Sequence, residues 1–142
     1  MKTITLQAKM ENLNSVISMI EAELEANGCP LEEQTQISVA CEEIFVNIAC
    51  YGYTPGEGDA VVSIDITGNS AKKCIIIFDD SGNQFNPLEK PDPDITLAAV
   101  ERPIGGLGIY MVKNTMDDVS YEYTNGHNIL SIVKSFKNMF IK

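Results

Sequence analysis

The sequence has no tryptophan, a single histidine and a single arginine, and only 7% of its 142 residues are aromatic. One histidine leaves little from which to build a zinc cluster or a histidine proton relay. Basic residues are scarce too: ten Lys+Arg stand against twenty Asp+Glu, a net charge of −10. A nucleic-acid backbone is met with clustered Lys and Arg, so direct binding to nucleic acid is not expected. The longest purely apolar run is residues 74–78, far too short to cross a bilayer. Residues 1–10 alternate polar and apolar side chains, which is not the pattern of a signal peptide, and a cytoplasmic location is expected. Four cysteines (Cys29, Cys41, Cys50, Cys74) make no CxxC pair. Three sit within apolar patterns, so reduced buried thiols are expected rather than a zinc or disulfide framework.

What is present describes one globular domain spanning residues 1–142, with 44% hydrophobic residues and a mean hydropathy of −0.01. The negative charge is concentrated. Residues 11–43 carry eight acids and no base, and residues 79–101 carry six acids and one base. The first of these stretches is expected to be a solvated helix face or a docking surface for a basic protein partner.

Periodicity orders the elements. Residues 2–8 alternate Ile4, Leu6 and Ala8 against Thr3, Thr5 and Gln7, the signature of a half-buried strand. Leu13, Val16, Ile17, Ile20 and Leu24 recur at helical spacing between Asn12 or Asn14 and the stop at Gly28. After Pro30 a second helix is expected over residues 31–50, striped by Ile37, Cys41, Ile44, Phe45 and Ile48. Strands at 60–67 and 72–79 flank the turn residues Gly68, Asn69 and Ser70. Residues 80–103 are irregular and proline-rich, with a short helix expected at 95–101. Gly105, Gly106, Leu107 and Gly108 lead a helix to about Met116, and strands at 119–124 and 129–136 meet at Asn125-Gly126. The expected class is α+β: a two-layer sandwich in which helices cover one face of a mixed, mostly antiparallel sheet.

Three polar features interrupt this pattern. Glu43 and Asn47, four apart on the second helix, lie beside its apolar stripe. They are either a solvated pair or a base and a metal-binding oxygen facing a pocket, and Mg²⁺ would accept such a hard oxygen. The run from Asp80 through Ser81, Gly82 and Asn83 to Pro87 follows an apolar strand directly. It is either turn chemistry or a carboxylate placed to accept from a ligand amine, with Gly82 admitting a flat ring. Gly106, Leu107 and Gly108 open a helix, where backbone N–H groups can meet phosphate. That signal is weak alone, being neither a Walker A loop nor a complete GxGxxG.

In this order, Glu43…Asn47, Asp80-x-Gly82 and Gly106-x-Gly108 resemble the gyrase/chaperone/histidine-kinase (GHKL) ATPase superfamily, whose fold is the histidine kinase-like or Bergerat fold. The chain is most similar there to the bacterial anti-sigma factor serine/threonine kinases. The likeness covers essentially the whole chain and includes Glu42-Glu43-Ile44-Phe45-Val46-Asn47, the run from Asp80 to Pro87, the run from Gly105 to Lys113, and Met116-Asp117. It implies ATP and Mg²⁺ as cofactors, with Asn47 holding the metal and Glu43 as the general base. Asp80 is implied to read the adenine amine, with Gly82 against the ring, and Gly106, Leu107 and Gly108 to meet the phosphates. Arg102, in the implied lid, is either a phosphate contact or a solvated residue. The family often carries histidine where this chain has Tyr51, a side chain with a pKa near 10 that cannot carry a proton at neutral pH. Asn128 and Ser131 of the last hairpin are both candidates for a polar contact near adenine.

The implied function is an ATP-dependent serine/threonine kinase that sequesters a sigma factor and phosphorylates a STAS-type anti-anti-sigma protein; a homodimer is also implied. The alternative is a nucleotide-gated protein-binding module without kinase activity. A histidine-kinase catalytic domain ranks last, because no dimerisation helix with a phosphoacceptor histidine is read here and His127 falls in a turn.

Overall fold

The alternating strand patterns pair as neighbours because each hairpin has its own turn chemistry. In the computed structural model, which describes residues 1–53, 56–89 and 106–141 (Gly106 and Leu107 in backbone only), five strands form one sheet. They are β1 (Lys2–Gln7), β2 (Asp59–Gly68), β3 (Ala71–Asp80), β4 (Asp118–Thr124) and β5 (His127–Lys137). Their order is β1-β2-β3-β5-β4, and every pairing among the described residues is antiparallel. The parallel component allowed by a mixed sheet is thus absent from the described strands. The expected helix at 95–101 and Arg102 lie outside the described residues.

The β4–β5 turn holds Asn125 at φ 51° and Gly126 at φ 80°, the two positive values a tight hairpin needs. That two-residue turn sets Thr124 opposite His127 and fixes the register of both strands. His127 is accordingly the first residue of β5, not part of the turn, and its Nδ1 lies 2.7 Å from Asp79 Oδ1.

Helices α1 (Leu13–Ala26) and α2 (Leu31–Asn47) pack on one face of the sheet, and α3 (Gly106–Thr115) packs against α2. Helix α1 stops where the sequence predicts. Gly28 N–H donates to Glu25 O, Cys29 N–H to Leu24 O, and Gly28 takes φ 74°, a Schellman ending. The core between the layers joins Val16, Ile20 and Leu24 of α1 to Ile37, Ile44 and Phe45 of α2, over Val62, Ile64, Ile76, Phe78 and Ile132 of the sheet.

Cys29, Cys41 and Cys74 are buried in this core while Cys50 is exposed. Burial pushes the Cys74 thiol up to about 12 and, with help from Glu33, the Cys29 thiol up to about 11. They are inert thiols, and no group of three or more metal-ligating side chains exists among the described residues.

The other sheet face carries no described helix, and Val61, Ile75, Ile77, Ile129 and Val133 stand on it half-buried. This explains why residues 74–78 show no alternation: both faces of β3 are apolar.

Candidate functional site

Helix α2 does not run to residue 50 as its apolar stripe predicts. It ends at Asn47 and continues as one π-helical turn, Ile48–Gly52. Such turns widen the backbone and are frequent at functional sites. Here the turn aims the Gly52 carbonyl at the loop after β3, where it accepts from Asn83 N–H at 2.7 Å. Tyr53 adds a second stitch: its hydroxyl donates to Asp59 O at 2.6 Å and accepts from Ser81 N–H at 2.8 Å.

Between these elements opens a cleft with about 480 Å³ of empty space, the open solvent at its mouth included. Its walls are mostly apolar: Ile44 and Ile48 from α2 and its extension, Phe78 from β3, Phe85 and Pro87 from the following loop, Ile109 from α3, and Leu130 from β5. The polar lining is Asn47, Tyr51, Asp80, Asn83, Tyr121 and Asn128. Four residues implicated by sequence, Asn47, Tyr51, Asp80 and Asn128, therefore meet in one cavity. Glu43 is one helical turn from Asn47 along α2, and its Oε2 lies where a Cβ on Gly108 would have to be. Glycine at 108 thus lets α3's first turn close onto the Glu43 carboxylate. Among the described residues, neither Glu43 nor Asn47 has a hydrogen-bond or ion-pair partner.

Asp80 is buried at 6% exposure, and its Oδ1 accepts from Gly82 N–H at 2.9 Å and Asn128 Nδ2 at 3.0 Å. A Cβ at Gly82 would overlap the Gly52 carbonyl. The missing side chain thus makes room for the π-helical turn, and Gly82 is not one of the residues lining the cleft. Asn128, opposite Asp80 in the β3–β5 ladder, points into the cleft. Ser131 stands at an odd position of β5, opposite Ile77 on the face that carries no described helix, and is not among the residues lining the cleft. Asn128 Nδ2 also donates to Asn83 O at 2.9 Å, while its Oδ1 accepts from Phe85 N–H at 3.1 Å and from the Tyr121 hydroxyl. Desolvation, reinforced by the nearby Asp80 carboxylate, raises the Tyr121 pKa, so its hydroxyl stays protonated as a donor.

Sequence reasoning left Asn128 and Ser131 undecided and missed Tyr121, Phe85 and Ile109 altogether. The Asn125-Gly126 dipeptide held the missing signal. A two-residue turn there forces residues 128 and 130 of β5 onto the face shared with Tyr121.

Residues 6–134 match the family described as the histidine kinase-like ATPase domain. Two curated relatives named anti-sigma F factor come from Thermoanaerobacter sp. (strain X514) and Thermoanaerobacter pseudethanolicus (strain ATCC 33223 / 39E). Each is 26% identical over 116 residues, covering 82% of this chain and 77% of the relative. Among solved structures, the RsbU and RsbW domains of a Mycobacterium tuberculosis protein match 100% of this chain at a TM-score of 0.60 and 14% identity. The chain spans 35% of that longer polypeptide. The mycobacterial sensor histidine kinase MprB matches 96% of this chain and 100% of its own, with a TM-score of 0.51 and 14% identity. At such identities these two structures speak to the fold alone.

Proposed function

The chain belongs to the histidine kinase-like ATPase domain family, and from that premise we propose that it is an ATP-binding anti-sigma regulatory factor with serine/threonine kinase activity. In this reading it sequesters a sigma factor and phosphorylates a STAS-type anti-anti-sigma protein in the cytoplasm. The observation that carries the catalytic part is the Glu43 carboxylate, unpartnered among the described residues and set against Gly108 at the start of α3.

Asp80 would accept a hydrogen bond from the adenine amine, and the apolar walls would hold the ring. Backbone N–H groups at Gly106, Leu107 and Gly108, at the positive end of α3, would receive the phosphates, with Arg102 as a further phosphate contact. The Asn47 amide, one turn from Glu43 and with no partner of its own among the described residues, fits the hard-oxygen demand of Mg²⁺. That ion, when bound, neutralises charge on the phosphates. Glu43 would accept the proton of a partner serine hydroxyl while that oxygen bonds to the γ-phosphorus. The bond from phosphorus to the ADP oxygen breaks, leaving phosphoserine and ADP. Phosphoryl transfer is largely positioning and electrostatics, so these few groups are a sufficient set.

Tyr51 supports a second reading, a nucleotide-gated binding module without transfer. It is 63% exposed at the mouth of the cleft and offers a hydroxyl in place of an imidazole. Labelled ATP with the cognate STAS protein separates the two. Phosphoserine is expected; none, under conditions where ATP binds, would sink the kinase claim and leave ATP-gated partner binding as the function. The helix-free sheet face around Ile75, Ile77 and Val133 is where a homodimer would form, burying apolar surface that this fold leaves half-covered.

A further inference from the structure

An asparagine side chain offers two N–H donors and two acceptor lone pairs. Asn128 uses all four inside the protein. Its N–H groups go to Asp80 Oδ1 and Asn83 O, and its oxygen receives Phe85 N–H and the Tyr121 hydroxyl. The amide's orientation follows from the main chain alone, because Phe85 N–H can only donate and Asn83 O can only accept. No capacity remains on Asn128 for a nucleobase. Asp80 Oδ1 is likewise occupied, by Asn128 and by Gly82 N–H. Its other oxygen, Oδ2, has no hydrogen-bond partner among the described residues, and Asp80 lines the cleft.

We propose that Asn128 and Tyr121 are positioning residues that set nucleobase specificity by locking the Asp80 carboxylate as a single-oxygen acceptor. They do so without touching the base. This rests on the ATP reading above. With Oδ1 tied down, the carboxylate cannot rotate, and its free oxygen presents a lone pair in one direction. An exocyclic amine meets that lone pair, as the 6-amino group of adenine does. Guanine presents a carbonyl oxygen at the same ring position, and two acceptors facing each other repel. Tyr121 acts through Asn128: its hydroxyl adds a second donor to the amide oxygen that Phe85 N–H already holds, stiffening the orientation the main chain sets.

The test compares nucleotides that differ only at the 6-position. Wild-type protein, Asn128→Ala and Tyr121→Phe are titrated calorimetrically with ATP, with purine riboside triphosphate (which lacks the 6-amino group) and with GTP. Wild type is expected to favour ATP over the purine analogue by about tenfold or more, the worth of one hydrogen bond to a carboxylate. That ratio is expected to fall close to one in Asn128→Ala and by a few-fold in Tyr121→Phe, with affinity for the purine analogue little changed. A merely structural role would weaken both nucleotides together and leave the ratio intact, and that result overturns the proposal. So does a wild-type ratio near one, although ATP binding itself would then stand. Wild type that binds no ATP brings down the nucleotide reading and this inference with it. Should Asn128→Ala fail to fold by thermal melting, Tyr121→Phe decides on the same ratio.

Discussion

At the Asp80 end of the cleft the polar groups are mostly satisfied by one another, whereas at the Glu43 end two polar side chains stand without partners among the described residues. The Asp80 end is a closed network stitched to β5 and, through Gly52, to the end of α2. It exists before any ligand arrives and leaves one carboxylate oxygen over. The Glu43 and Asn47 side chains have no partner among the described residues, and the proposed function would give them one in phosphate, metal and a hydroxyl. Under the proposed function, one end selects the nucleotide and the other acts on it. A preorganised reader should tolerate little change in shape, while the reactive end should tolerate change in shape but not in chemistry.

The sharpest way to break this contrast is Glu43→Ala. Loss of a general base typically costs about 10²–10⁴-fold in rate, so phosphate transfer to the partner should nearly vanish while ATP affinity stays within a few-fold. Transfer measured with labelled ATP, beside calorimetry on the same protein, checks both halves. Equal losses in binding and transfer would mean that Glu43 belongs to the recognition end. Asp80→Asn is the mirror experiment. With Gly82 N–H and Asn128 Nδ2 holding the amide oxygen at the Oδ1 site, the variant presents an N–H donor where the free acceptor oxygen stood, and should weaken ATP by about 10- to 100-fold. Saturating ATP should restore most of the transfer rate.

Gly82→Ala probes the joint between the ends, because its Cβ would strike the Gly52 carbonyl. A destabilisation of about 1–3 kcal/mol is expected in urea unfolding, with ATP binding weakened as the loop is displaced. Unchanged stability would show that the π-helical turn and the Asp80 loop are not coupled. The smallest effect lies beneath both ends, in the core thiols. Their pKa values are raised on folding, from 9.0 to about 11 for Cys29 and about 12 for Cys74. The unfolded chain therefore gives up these protons first. This contribution is complete below pH 9 and is lost as pH climbs towards 11–12. The urea midpoint should fall across that window, less steeply in Cys29→Ala/Cys74→Ala.

Strands and helices were legible in the sequence because Ile4/Leu6, Val16/Ile20/Leu24 and Ile37/Ile44 keep strict periods, and because Gly28 and Asn125-Gly126 sit where chain reversals need positive φ. The end of α2 was not legible. Ile48 continues the apolar stripe whether the backbone closes α- or π-helical bonds, and a period cannot tell the two apart over five residues. Asp80, Asn47 and Glu43 stood out as polar exceptions beside apolar patterns. Tyr121 did not, since alternation with Val119 on β4 marks it as one more inward residue. Its hydroxyl acquires meaning only when the sheet brings Asn128 beside it. A contact between strands is invisible until register is known.

Register carries one more consequence. The two hairpins β2–β3 and β4–β5 are local structures, but the β3–β5 seam that unites them joins residues such as Asp80 and Asn128, far apart in the chain. Closing so long a loop is the slow part of building such a sheet. A slip of one residue along the seam would turn Asn128 away from Asp80 and set Ile129 or His127 opposite it instead. The proposed adenine-reading network is assembled only when the seam closes in frame. A nucleotide present at a hundred times its dissociation constant would then favour the correctly zipped sheet by about 2.7 kcal/mol. The ligand of this domain would act as a proofreader of its folding.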